Sequence, residues 1–200
     1  MYFSKLIIKK FVLFALATIL PFPLIDAAQA NSHGLNCKAS KADLITTKFG
    51  EDRAYFRDWL GACRQDGYCS ANIYVASSDN PIAYHVRIGR AHFGMDYELK
   101  FVMAEHMLAP NSPLALAVDG KKLAKLEAGD DMGWYLEDNV ANEYVVGTSR
   151  ANLELIPALI AGSRLHLEWQ DQQGQPSQQS YSLIGLTRAL CWLDKKQKPN

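Results

Sequence analysis

FRDWLGACRQDGYCSANIYV, residues Phe56–Val75, reads as a β-hairpin closed by its own sulfur. Asp66-Gly67 is a strong turn signal between two strand-like runs. A three-residue loop Gln65-Asp66-Gly67, with Gly67 left-handed, sets Arg64 opposite Tyr68 and Cys63 opposite Cys69. In a non-hydrogen-bonded cross-strand pair such sulfurs come within bonding reach. The chain has 4 cysteines, and three connectivities are open to them. The hairpin favours Cys63–Cys69, which leaves Cys37 and Cys191 to tie the two ends of the domain together. Zinc is the rival reading, and it fails on spacing. There is no CxxC, and no histidine lies close in sequence to Cys63 or Cys69.

Around the hairpin the pattern is mostly period two. Tyr84, Val86 and Ile88 alternate with His85 and Arg87, and Tyr97, Leu99, Phe101 and Met103 with Glu98 and Lys100. Leu114–Leu126 folds back at Asp119-Gly120, and a two-residue turn there places Leu116 opposite Leu123. Trp134–Leu136, Tyr144–Val146, Arg164–Trp169 and Ser180–Leu186 are further strands, the last two joined by an exposed Gln-rich loop over 171–179. Two segments are helical. Ser149 caps one that runs to Ala161, with Leu153, Ile156 and Ile160 on one face and Pro157 forcing a kink or a later start. The other, near Thr187–Gln197, carries Leu186, Ala189, Leu190 and Leu193 at helical spacing. The expected fold is mainly β: an antiparallel sandwich or partly open barrel with two short helices near the C-terminus.

Residues 1–30 form a signal peptide. Lys5, Lys9 and Lys10 precede the apolar run Phe11–Leu24, and Ala28-Gln29-Ala30 is a cleavage pattern. One disulfide-stapled domain, 31–200, is the expected product, periplasmic or secreted and with no membrane span once the signal is cut. The chain has 21 basic and 21 acidic residues; losing three lysines and Asp26 leaves 18 against 20. No basic stripe is present, so nucleic acid is a poor partner.

Two patches resemble a known family. DWLGACRQDGYCSA (Asp58–Ala71) is similar to the D-W-x-x-x-C…C pattern of exported bacterial proteins grouped as domain of unknown function 1176. YSLIGLTRALCWLDKKQ (Tyr181–Gln197) is similar to that family's closing S-L-x-G-x-x-x-A-L-x-W-x-D-x-x-Q. A more distant resemblance, through LALAVDGKKLAKL, is to the invasion-associated locus B proteins. These likenesses imply export, the hairpin disulfide and a β-rich fold, and carry over no catalytic or binding residue.

The remaining chemistry is sparse. His85, His92 and His106 fall in consecutive β segments, but His85 alternates away from the apolar face and is expected to point to solvent. Glu127, Asp130, Asp131, Glu137 and Asp138 lack the calcium-loop pattern and read as a solvated acidic segment. No G-x-S-x-G elbow or Gly-rich phosphate loop appears. A disulfide also removes the thiolate that a Cys63 nucleophile would need. No cofactor and no metal are therefore expected. Among the aromatics, Tyr68 beside the turn is the one expected to be exposed on a face for protein or glycan. The favoured function is non-catalytic binding of an unknown protein or envelope component. The alternative is a hydrolytic or metal-dependent enzyme with a site built from loops around His85, His92 and the acidic segment 127–138.

Overall fold

Alternation of apolar and polar residues runs through most of the chain and is resolved as strands. The computed structural model describes residues 35, 37, 43–46, 50–129, 131–138 and 140–198. The segment 1–30, expected to be a signal peptide, lies outside them. In order come β1 (Asp43–Thr46), β2 (Asp52–Phe56), β3 (Trp59–Cys63), β4 (Cys69–Val75), β5 (Tyr84–Arg90) and β6 (Glu98–Met103). There follow β7 (Leu114–Val118), β8 (Lys121–Leu126), β9 (Trp134–Leu136) and β10 (Glu143–Val146). A helical stretch holds α1 (Thr148–Arg150), a π turn (Ala151–Leu155) and α2 (Ile156–Ala161). Last are β11 (Arg164–Gln170), β12 (Pro176–Ser182) and α3 (Leu186–Gln197).

The strands make two antiparallel sheets that do not close into a barrel. An 8-stranded sheet runs β1-β2-β3-β4-β5-β6-β10-β9, and a 4-stranded sheet runs β12-β11-β7-β8. One core joins their inner faces. Val86, Ile88, Leu99 and Phe101 come from the larger sheet, Leu116, Leu165 and Leu167 from the smaller, and Leu155 and Leu159 from the helical stretch, all buried. Leu186, Ala189, Leu190 and Leu193 of α3 are each 0% exposed.

The founding hairpin has the expected register. Cys63 faces Cys69, the Arg64 N–H donates to the Tyr68 carbonyl at 2.8 Å, and Gly67 has φ +92°. The two disulfides are Cys63–Cys69, with Cα atoms 4.1 Å apart, and Cys37–Cys191, with Cα atoms 5.5 Å apart.

Three local expectations are corrected. A bulge between Leu116 and Ala117 inserts Leu123, so Leu116 faces Ala124 and not Leu123. The Gln-rich segment is mostly strand: Asp171 Oδ1 accepts the Gln173 and Gln175 N–H groups, closing the loop early and leaving Pro176–Ser182 to pair with β11. In the helical stretch Ser149 caps nothing; its hydroxyl donates to Asp131. Pro157 has no N–H, and the turn before it widens to a π turn. That rotates Leu153 out to 79% exposure and turns Ala151, Leu155 and Leu159 inward.

Candidate functional site

The outward face of the larger sheet is built by three rows of cross-strand neighbours. One reads Arg53, Ala62, Ser70, Gly89, Glu98; the next Leu60, Asn72, Arg87, Lys100; the third Tyr74, His85, Val102, Glu143. Small or short side chains on β3 and β4 sit between longer ones, which leaves a groove of about 500 Å³. Its floor is Leu60, Ala62, Ser70 and Asn72; its walls include Arg53, Arg64, Arg87, Tyr68 and Tyr74. The floor amide is held in place, Asn72 Nδ2 donating to Ser70 Oγ at 3.0 Å.

Each wall arginine has a carboxylate beside it. Arg53 bonds Glu51 at 2.6 Å, Arg87 bonds Glu143 at 3.2 Å, and Arg64 bonds Asp66 in the turn. The groove therefore offers many hydrogen-bonding groups and two phenols at little net charge. Burial pushes the Tyr68 and Tyr74 hydroxyls up from their ordinary range, so both stay protonated donors. Tyr68 is half-buried and not exposed as expected, because it lies over Gly89, whose missing Cβ leaves room for the phenol. Tyr74 is the exposed phenol, at 43%.

Beyond the groove, Lys100 gathers Glu98, Glu137 and Glu143 within 3.5 Å. Burial alone would lower its ammonium, but the Glu137 hydrogen bond and the Glu98 and Glu143 charges outweigh that and hold it up. His85 is another correction: it does not point to solvent. Tyr74 leans over it, with ring centroids 5.0 Å apart, leaving the residue 7% exposed. Among the described residues Nε2 has no hydrogen-bond partner, and burial, helped by the Arg87 charge, lowers the imidazole to about 4.

The structure does not gather the other flagged residues around His85. His92 lies by the turn, in a separate cavity of about 390 Å³ lined also by Cys63, Cys69 and Gln197. His106 bonds Asp171 and His166 bonds Ser180 and Glu168. The described residues of the acidic segment are dispersed: Glu127 pairs with Lys125, Asp131 accepts from Ser149, and Glu137 takes Lys100, while Asp130 lies outside the described residues. Among the described residues no group of three or more His, Cys, Asp or Glu is placed to hold a metal ion.

The two sequence patches singled out by resemblance are spent on packing. Trp59 is fully buried and its Nε1 donates to the Ser182 carbonyl at 3.0 Å. Asp194 accepts from Arg90 at 2.5 Å and from the Tyr97 hydroxyl at 2.7 Å, while Gln197 Nε2 donates to the Gly67 carbonyl at 2.8 Å. A family description, "Protein of unknown function (DUF1176)", matches residues 53–199. The chain belongs to this family. In DUF1176 terms, the closing motif of this chain is the clasp that docks α3 on the stapled hairpin. No curated protein matches the chain. A solved structure that is similar is the crystal structure of invasion associated protein B from Bartonella henselae. It superposes with a TM-score of 0.56 at 18% identity, over 74% of this chain and 99% of that one, a likeness of fold.

Proposed function

We propose that this DUF1176 protein is an exported β domain that acts by binding, without catalysis, and that its groove on the larger sheet receives a protein or glycan of the cell envelope. The observation that carries the reading is the groove itself: a rigid sheet floor, neutral phenols and balanced guanidinium–carboxylate pairs. Such a surface suits a partner rich in hydroxyl or amide groups. Export is supported by the signal-like N-terminus and by two disulfides, which belong to an oxidising compartment. Among the described residues no helix is long and apolar enough to cross a membrane.

The test is capture from envelope extract by the oxidised protein, alongside Arg87→Glu, Tyr74→Ala and the Cys63→Ser/Cys69→Ser pair. Capture lost with the two groove variants supports the reading. Capture that ignores them, or turnover of an envelope substrate that depends on polar residues elsewhere, overturns it.

A further inference from the structure

The smaller sheet carries a second concavity on its own outward face. β7 is an inner strand there, between β8 and β11, and Ala115 and Ala117 alternate outward from the buried Leu114 and Leu116. The register sets a long side chain on either side of each alanine. Ala117 stands between Lys122 and His166, and Ala115 between Lys125 and Glu168. Two methyl groups flanked by four long side chains make a trough along β7, about 10 Å between the flanking backbones. Its volume is about 730 Å³. A neighbouring cavity of about 640 Å³ shares Ala115 and Glu168 and adds Pro113 and Pro176 to the lining.

The trough changes character along its length. At the Ala117 end the exposed Lys122 and Arg164 line it. On this face Lys125 pairs with Glu127 at 3.0 Å, and His166 Nε2 lies within hydrogen-bond distance of Glu168, at 3.2 Å. Among the described residues no carboxylate pairs with Lys122 or Arg164; the nearby Asp119 carboxylate is turned to the backbone N–H groups of Ser163 and Arg164. At the other end Ala115, Pro113, Pro176 and Trp169 line it together with the polar Ser112, Glu168, Gln170, Ser177 and Gln178. Alanine and proline offer no side-chain hydrogen bond, so the floor along β7 recognises apolar shape, while Glu168, Gln170 and Gln178 border it with polar groups.

We propose that this trough binds a single-chain anionic amphiphile, its head on Lys122 and Arg164 and its alkyl chain lying over Ala117 and Ala115 toward Pro113. Both ends are needed to select it. A small anion would leave the alanine floor wet, and a neutral chain would leave the cations without a partner. From residue 117 to residue 113 an extended strand spans about 14 Å, the reach of a dodecyl chain. The site is independent of the groove on the larger sheet.

Sodium dodecanoate below its micelle-forming concentration is titrated calorimetrically into the oxidised protein, with acetate and dodecyl maltoside as separate arms. One equivalent of dodecanoate is expected to bind, at least tenfold more tightly than the maltoside, with no heat from acetate. Ala117→Trp fills the trough and should abolish binding. Lys122→Glu/Arg164→Glu alters only exposed side chains and should weaken binding at least tenfold, whereas Arg53→Glu in the other groove should change nothing. No binding of dodecanoate, equal binding of the neutral amphiphile, or binding indifferent to charge reversal would each overturn the proposal.

Discussion

His85 is a titratable group held neutral by its surroundings, and its effect on stability has a definite sign. Its imidazole is lowered to about 4 in the folded protein, against about 6.5 when unfolded. The unfolded chain therefore takes up the proton first. The protein is at full strength above pH 6.5 and loses stability as the pH falls from there toward 4. At pH 5 this one residue costs about 2 kcal/mol relative to neutral pH. Urea unfolding of the native protein and of His85→Leu at pH 7 and pH 5 should show the smaller pH dependence in the variant. Asp194 is a second buried group, and its carboxylate accepts from both Arg90 and the Tyr97 hydroxyl. Arg90 is 2% exposed and lies over the Tyr97 ring at 4.5 Å, so Asp194→Ala strands a buried guanidinium. A loss of about 3–5 kcal/mol is expected. The double variant Arg90→Met/Asp194→Leu should recover much of it in the same unfolding assay.

Individual elements show where periodicity informs and where it stops. The helical spacing in α3 named four core residues correctly because that helix is regular, and the Asp66-Gly67 turn fixed the hairpin register. Leu153 failed because a π turn shifts the phase of a helix by part of a residue, and nothing local marks the change except Pro157. Leu116 failed for a similar reason, since the bulge at Leu123 has no glycine or proline to signal it. The groove was legible only in fragments. The alternation Ser70, Asn72, Tyr74 on β4 is a readable polar face, but Arg53 and Arg87 meet it through sheet order, which sequence does not state. Alternation gives the direction of a side chain and says nothing of what leans over it, hence the error at His85. Gly185 illustrates an element boundary set by sterics. It has φ +104°, and a Cβ there would collide with the Phe56 carbonyl. Gly185→Ala should cost about 1–3 kcal/mol, read as a lower urea midpoint with an unchanged slope.

At the scale of the whole molecule the two disulfides restrain very different amounts of chain. Cys63 and Cys69 are 6 residues apart in sequence, and Cys37 and Cys191 are 154 apart. Loop-closure entropy gives about 2 kcal/mol for the short ring and up to about 5 kcal/mol for the long one. Thermal unfolding of Cys37→Ser/Cys191→Ser should therefore show the larger drop in midpoint, and Cys63→Ser/Cys69→Ser the smaller.

The partners that complete the first strands lie far along the chain. Trp59 waits for the Ser182 carbonyl, Gly67 for Gln197, and Arg90 for Asp194. The packing of the opening β structure is complete only when β12 and α3 have docked on it. Loss of α3 should therefore loosen the stapled turn as well as the far end of the fold, because the two share these hydrogen bonds.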